Sequence, residues 1–175
     1  NYKKFILVGD HKQLPPVIQN DMAKLQGFSK SLFERLIDIN KDNIKEVLVT
    51  LEEQYRMNEN IMSFSNNNIY NYELKAYEAI SKQKLDLPRL KIESSFYDIL
   101  EPENNLVFVH LDSNSSFKTN AKEAEFTVKI TKEFVNAGML SYQIGIITPF
   151  RAQVAEIRRA FLALSDDALS GITVD

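Results

Sequence analysis

The chain has 175 residues, 44% of them hydrophobic and 26% charged, the size and balance of one ordinary globular domain. It holds no apolar run long enough to span a bilayer, no basic-then-apolar opening that reads as a signal peptide, and no cysteine, which excludes disulfides and thiolate metal sites. The formal charge of -3 argues against binding nucleic acid over the whole surface, so any such contact has to be local, along a groove. The expectation is a cytoplasmic, intracellular protein with no membrane partner. The chain opens at Asn1 without a methionine and closes at Asp175 just after a strand-like Gly-Ile-Thr-Val, so both ends read as cuts in a longer protein.

Lys4 to Val8 is a short apolar run that stops at Gly9, the pattern of a buried strand. The loop from Gly9 closes on Pro15 and Pro16, which forbid helix there. Ser31-Leu-Phe-Glu34 is a capping-box pattern and opens a helix with Leu32, Phe33, Leu36 and Ile37 on one face. Val47 to Leu51 is a second strand candidate that delivers Glu52, Glu53, Gln54, Tyr55 and Arg56. Asn58 caps the next helix, with Ile61, Phe64, Ile69 and Leu74 as apolar anchors. Residues 73–104, with mixed charges, Pro88, Pro102 and no clean period, read as a loop-rich excursion.

Leu106 to Leu111 reads as a strand and Asn120 to Asn136 as a helix. Ala121, Ala124, Val128, Thr131 and Val135 fall there at spacings of three and four, with Gly138 at the C-cap. Ile144 to Thr148 is a buried strand ended by Pro149; the helix that follows carries Phe150, Val154, Ile157, Phe161 and Leu164 in one stripe. Ile172 to Val174 begins another strand. Strands alternating with helices predict an α/β fold, a parallel sheet with helices on both faces. Ligands in such sheets gather at the carboxyl ends of the strands, where three polar clusters lie: Gly9 to Gln13, Gln54 to Arg56, and Thr148 to Arg151.

The first cluster, Gly9-Asp10-His11-Lys12-Gln13-Leu14-Pro15-Pro16, presents a carboxylate and an amide on a stiffened loop. Gln13 donates and accepts at once, which suits sensing a terminal phosphate or its attacking water; a polar turn after a buried strand is the plainer alternative. The string resembles motif III of the superfamily-one helicases, Gly-Asp-x-x-Gln-Leu-Pro-Pro in the branch that includes the nonsense-decay RNA helicase and the replication helicase-nuclease. The second cluster, Gln54-Tyr55-Arg56-Met57, resembles motif IV of that branch. Arg56 then corresponds to an arginine finger, whose rigid, permanently charged fork suits a transferring phosphoryl group. Tyr55 corresponds to the residue flanking the nucleotide base. Outside this context Arg56 would be read as a surface ion pair with Glu52 or Glu53.

The third cluster, Ile146-Ile-Thr148-Pro149-Phe150-Arg151-Ala-Gln153, is similar to the family's Ile-Thr-Pro-Tyr-Arg-Ala-Gln, with Phe150 in place of tyrosine. The resemblance gives Thr148, Pro149 and Arg151 to the nucleic-acid backbone, helped by main-chain N–H groups at the start of the helix; Phe150 is read as packing. Weaker echoes are Ser31 to Leu36; Phe64 to Leu74, where Tyr72 replaces a family glycine and suggests a different local turn; Asn120-x-x-Glu123-Ala124, whose Glu123 a helix-start carboxylate explains as well; and Thr173-Val174-Asp175, the opening of motif V. Residues 75–104 carry no match, and the rest of motif V and motif VI are absent.

The resemblance implies a RecA-like, P-loop NTPase fold, truncated, with residues 1–27 the tail of a first RecA-like domain and residues 28–175 most of the second. It implies an ATP-dependent DNA or RNA helicase moving 5′ to 3′, with ATP contacted by Gly9, Gln13, Gln54, Tyr55 and Arg56, and with Arg56, Gln13 and Asp10 as the catalytic set. Single-stranded DNA or RNA and the first RecA-like domain of the same parent chain are the implied partners. No Gly-x-x-x-x-Gly-Lys-Ser/Thr string is present, so the phosphate cradle and most of the Mg²⁺ site fall to that first domain, and the chain alone is expected to be inactive. His11 and His110 are the only histidines, and no metal-ligand spacing or nucleophile triad is visible. The rival reading is a helicase-like module that binds nucleic acid or protein without catalysis.

Overall fold

Side-chain caps decide where the helices begin. A computed structural model describes residues 3–112 and 118–175 and divides into two compact units, Asn1–Ser81 and Lys82–Asp175. Asn1 and Tyr2 of the expected first-domain tail lie outside the described residues.

The first unit runs α1 (Asp21–Leu25), α2 (Leu32–Ile39), a 3₁₀ turn (Lys41–Asn43), α3 (Ile44–Val47), β1 (Glu53–Gln54), α4 (Glu59–Asn68), β2 (Lys75–Ala76) and α5 (Glu78–Ser81). Ser31 Oγ accepts from Glu34 N at 3.1 Å and Asn58 Oδ1 from Asn60 N at 2.7 Å, so both expected caps form. Each such cap is worth about 1 kcal/mol. β1 and β2 pair in parallel, Glu53 with Lys75 and Gln54 with Ala76. The ladder gains Lys75 N to Glu52 O at 2.8 Å and Tyr77 N to Gln54 O at 3.0 Å.

The second unit runs α6 (Tyr97–Leu100), α7 (Ala121–Ala137), a 3₁₀ turn (Ser141–Gln143), β3 (Gly145–Ile146), α8 (Arg151–Leu164), a 3₁₀ turn (Asp167–Leu169) and β4 (Thr173–Val174). Asn120 caps α7 by accepting from Glu123 N, and Gly138 ends it at φ +121°, a left-handed backbone that glycine adopts without penalty. β3 and β4 pair in parallel, Gly145 with Thr173 and Ile146 with Val174. Ala124 and Val128 of α7, Ile157 of α8 and Val174 of β4 form one buried core, with Ile146, Val154 and Phe161 packed against it. The middles of the predicted stripes, Ala124 and Val128 of α7 and Val154, Ile157 and Phe161 of α8, therefore meet in this core, while Ala121, Phe150 and Leu164 at the stripe ends stay exposed, a correction to the full stripes.

Five expectations need correction. The single parallel sheet with helices on both faces is not formed among the described residues; two separate two-stranded parallel pairs stand in its place. Lys4–Val8 is not a strand, and Phe5, Ile6 and Val8 stay solvent-exposed. Of Val47–Leu51, Val47 closes α3 and the rest is unpaired, the ladder starting only at Glu53; Leu106–Leu111 is likewise unpaired. An apolar run becomes a strand only when the backbone of a neighbouring strand meets its N–H and C=O groups, and these runs pair with no strand among the described residues; Leu48 N, for one, bonds back to Ile44 O of α3 at 2.9 Å. Finally, residues 73–104 are more than an excursion: Leu87 and Leu100 bury against Ala137, with Leu90, Phe96, Ile99, Phe134 and Met139 around them, a second core beside the end of α7. No helix of the described residues is long and apolar enough to cross a membrane.

Candidate functional site

The loop after Val8 is organised by Asp10. Its Oδ1 accepts from Lys12 N at 2.9 Å, and its Oδ2 accepts from Gln13 Nε2 at 3.1 Å and from the Tyr70 hydroxyl at 2.6 Å. Burial alone would push the carboxyl up, but the bonds from Tyr70, Lys12 N and Gln13, with His11 nearby, outweigh it and hold Asp10 below the usual carboxylate range. The same bond to Asp10 holds the Tyr70 phenol above its usual range. A side chain at Gly9 would meet only the Phe33 ring at 3.7 Å, so packing alone does not demand glycine there. His11 stacks on Phe33, the centroids 6.1 Å apart.

Gln54 braces the turn that presents Arg56. Its Oε1 accepts from Arg56 N at 2.9 Å and Met57 N at 2.7 Å, and its Nε2 donates to Met57 O at 2.6 Å. The two carboxylates expected as ion-pair partners for Arg56 are engaged elsewhere. Glu52 pairs with Lys75 at 3.3 Å, and Glu53 accepts from the Tyr55 hydroxyl, a bond that raises the Tyr55 phenol. Arg56 is exposed and makes no ion pair among the described residues. Tyr55 lies against Tyr77 with centroids 4.8 Å apart and stays 61% exposed, a ring still open to a ligand. No bond among the described residues joins the Asp10–Gln13 pair to Arg56.

In the second unit Thr148 continues the β3–β4 ladder: Thr148 N donates to Asp175 O at 2.8 Å and Asp175 N to Ile146 O at 2.9 Å. Pro149 is exposed and ends the strand, Phe150 is the N-cap residue of α8, and Arg151 begins the helix. Arg151, Arg158 and Arg159 line an open groove of about 750 Å³ with Val154, Val174 and Asp175. Arg158 donates to Val174 O at 2.7 Å and Arg159 pairs with Glu156 at 2.5 Å, while Arg151 makes no ion pair among the described residues.

Residues 28–175 match a family model described as AAA domain, a P-loop NTPase-like family. The chain belongs to this AAA-domain family. It is 35% identical over 98% of its length to the DNA replication ATP-dependent helicase/nuclease DNA2 of Xenopus laevis, and 34% identical over 99% to that of Homo sapiens. It is 38% identical over 91% of its length to an uncharacterized ATP-dependent helicase of Methanocaldococcus jannaschii. These 175 residues span 18%, 18% and 24% of those relatives' own lengths. The helicase resemblance carried by the motifs is borne out along nearly the whole chain.

Three groups in this AAA-family chain escape a string-by-string reading. Tyr70 reaches Asp10 from 60 residues away. Gln153, 7% exposed, accepts from Asn120 N at 2.7 Å and donates to Asn120 O at 3.0 Å, tying two motif-like strings together. Arg158 and Arg159 join Arg151 on the groove, and here a signal was available: positions seven and eight apart return to one helix face.

Proposed function

We propose that this chain supplies most of the second motor domain of an ATP-dependent nucleic-acid helicase or translocase, with residues 1–27 the tail of the first RecA-like domain. The observation that carries the reading is Arg56: an exposed guanidinium on a turn braced by Gln54, with both adjacent carboxylates committed to other partners. A permanently charged fork held this way suits the oxygens of a transferring phosphoryl group, and Arg56 is the arginine finger of this reading. Gln13 and Asp10 face the terminal phosphate and its water, and Gly9 and Gln54 shape the loops around it.

The donor set fits part of a nucleotide: Arg56 matches phosphate oxygens and the open Tyr55 ring matches a base, while the sequence carries no phosphate cradle. Bound ATP, with Mg²⁺ held mainly by the first domain, supplies the transferable phosphoryl group. Thr148, Pro149 and Arg151 contact the backbone of single-stranded DNA or RNA without reading its sequence; the cationic side of the groove supports this.

The test is ATP hydrolysis by the full-length protein, with and without single-stranded DNA and RNA. Hydrolysis stimulated by one of them is expected, and Arg56→Ala should lower kcat by roughly 10³-fold while nucleic-acid binding is kept. Equal loss of both would make Arg56 a folding residue. A folded full-length protein that binds nucleic acid and hydrolyses nothing would replace this reading with the non-catalytic binding module. These 175 residues alone are expected to be inactive, and Arg56-dependent turnover by them would overturn that expectation.

A further inference from the structure

The turn between α4 and β2 is built to face the Gly9–Pro16 loop. Asn66, 8% exposed, clamps Leu74 from both sides: its Oδ1 accepts from Leu74 N at 2.9 Å and its Nδ2 donates to Leu74 O at 3.0 Å. Tyr70 N donates to Ser65 O at 3.2 Å and Tyr72 N to Asn66 O at 3.0 Å, so the turn is pinned to the last turn of α4. Between them Asn71 and Tyr72 take left-handed backbones at φ +52° and +64°. For a tyrosine this conformation is strained and persists only where the surroundings impose it. The backbone at Tyr72 is one that glycine would favour, held here without glycine. Its consequence is that Tyr70 and Glu73 both reach the loop.

Their contacts there are specific. The Tyr70 hydroxyl donates to Asp10 Oδ2, Lys12 Nζ lies 5.5 Å from the Tyr70 ring centroid, and the same Nζ stands 3.9 Å from Glu73 Oε2. Asp10 has two further donors, Lys12 N and Gln13 Nε2, but both belong to its own loop and move with it. Among the described residues, Tyr70 is the donor to this carboxylate from outside its loop, from the turn pinned to the end of α4.

We infer that Tyr70 is a positioning residue for the Asp10–Gln13 pair: its hydroxyl fixes Asp10, and Asp10 holds the amide of Gln13. The inference rests on the reading above in which that pair faces the terminal phosphate. An amide that orients water works only if its own rotamer is set before the reaction, and a solvent-facing carboxylate held by its own loop alone sets it poorly. Lys12, seated between the Tyr70 ring and Glu73, is a second hold on the same loop that survives loss of the hydroxyl.

Tyr70→Phe keeps the ring under Lys12 and deletes only the donor. In the full-length protein with its activating nucleic acid, kcat for ATP should fall about 3- to 10-fold, the size of one ordinary hydrogen bond, with KM for ATP unchanged within about twofold. In an Asp10→Ala background the same substitution should have no effect, because the group it positions is gone. A loss of equal size in both backgrounds would make Tyr70 a structural residue and overturn the inference. So would an unchanged kcat for Tyr70→Phe while Asp10→Ala and Gln13→Ala lower it, which leaves the site reading standing. If Asp10→Ala and Gln13→Ala themselves leave kcat unchanged, the site reading fails and the inference falls with it.

Discussion

Gln153→Leu removes one polar side chain at nearly constant volume and tests how the second unit is held. The Gln153 amide bonds to the main chain of Asn120 in both directions, at 2.7 and 3.0 Å, across 33 residues. Leucine deprives the Asn120 N–H of its acceptor in a buried setting, a loss of about 1–3 kcal/mol. It also removes one donor to the Asn120 carbonyl, worth about 0.5–1.5 kcal/mol; that oxygen keeps its bond from Ala124 N at 3.1 Å. The sum is roughly 2–4 kcal/mol, which corresponds to about 30-fold or more in a local opening equilibrium. Hydrogen exchange read on the first turns of α7 and α8 should accelerate by that factor in both, since one side chain joins them, while α2 and α4 are unchanged. Gln153→Glu keeps the acceptor but sets a carboxylate oxygen against the Asn120 carbonyl, so its defect should shrink as pH falls and the carboxyl regains a proton to donate. Acceleration below about threefold in Gln153→Leu, or confined to one helix, would refute the claim that this pair couples α7 to α8.

Tyr72→Gly should stabilise the first unit by about 0.5–1 kcal/mol, because relief of the left-handed strain exceeds the extra chain entropy of glycine; a lowered denaturation midpoint would contradict this. The Asp10–Tyr70 bond has a defined pH window. Asp10 lies below its ordinary value of 3.8, so its contribution is complete above that value and lost as pH falls through the lowered folded one; Tyr70 lies above its ordinary value of 10.0, so its contribution is complete below that and lost as pH rises through the raised one. Lys12, Gln13, His11 and Glu73 are the polar neighbours; wild type and Tyr70→Phe should differ by a constant amount between the two limits and converge outside them, in a titration followed by hydrogen exchange.

What was legible in the sequence was what local chemistry decides. Ser31, Asn58 and Asn120 each accept from an N–H two or three residues ahead, so their helices announce themselves in a few letters. The three polar strings stand out for the same reason, each a short run on one loop, while the roles given to them belong to the proposed function. Strands were not, because a ladder is a relation between distant segments: Lys4–Val8 and Ile144–Thr148 look alike as strings, yet only the second meets a partner, Thr173–Val174. The core around Leu87 and Leu100 escaped because its members come from loops, a four-residue helix and the end of α7, and share no single period. Tyr70 and Gln153 fall within family-like strings, but their partners carry no local mark, since a bond spanning 60 or 33 residues leaves none.

Gln54 shows how the structure narrows a role that the motif leaves open. The resemblance makes it a nucleotide contact, but its oxygen already accepts from two main-chain N–H groups and its nitrogen donates to Met57 O. Under the proposed function, an amide so occupied would act on the nucleotide chiefly by placing Arg56, whose own N–H is one of the two it receives. The two roles separate by substitution. Gln54→Glu keeps the acceptor for Arg56 N and Met57 N but sets a carboxylate oxygen against Met57 O; if placement is the role, it should cost less kcat than Gln54→Ala, which frees the turn and should cost about ten- to a hundredfold with little change in KM for ATP. If instead Nε2 binds the nucleotide directly, both variants should raise KM for ATP. A Gln54→Ala variant with raised KM and intact kcat would show that the brace does not govern Arg56.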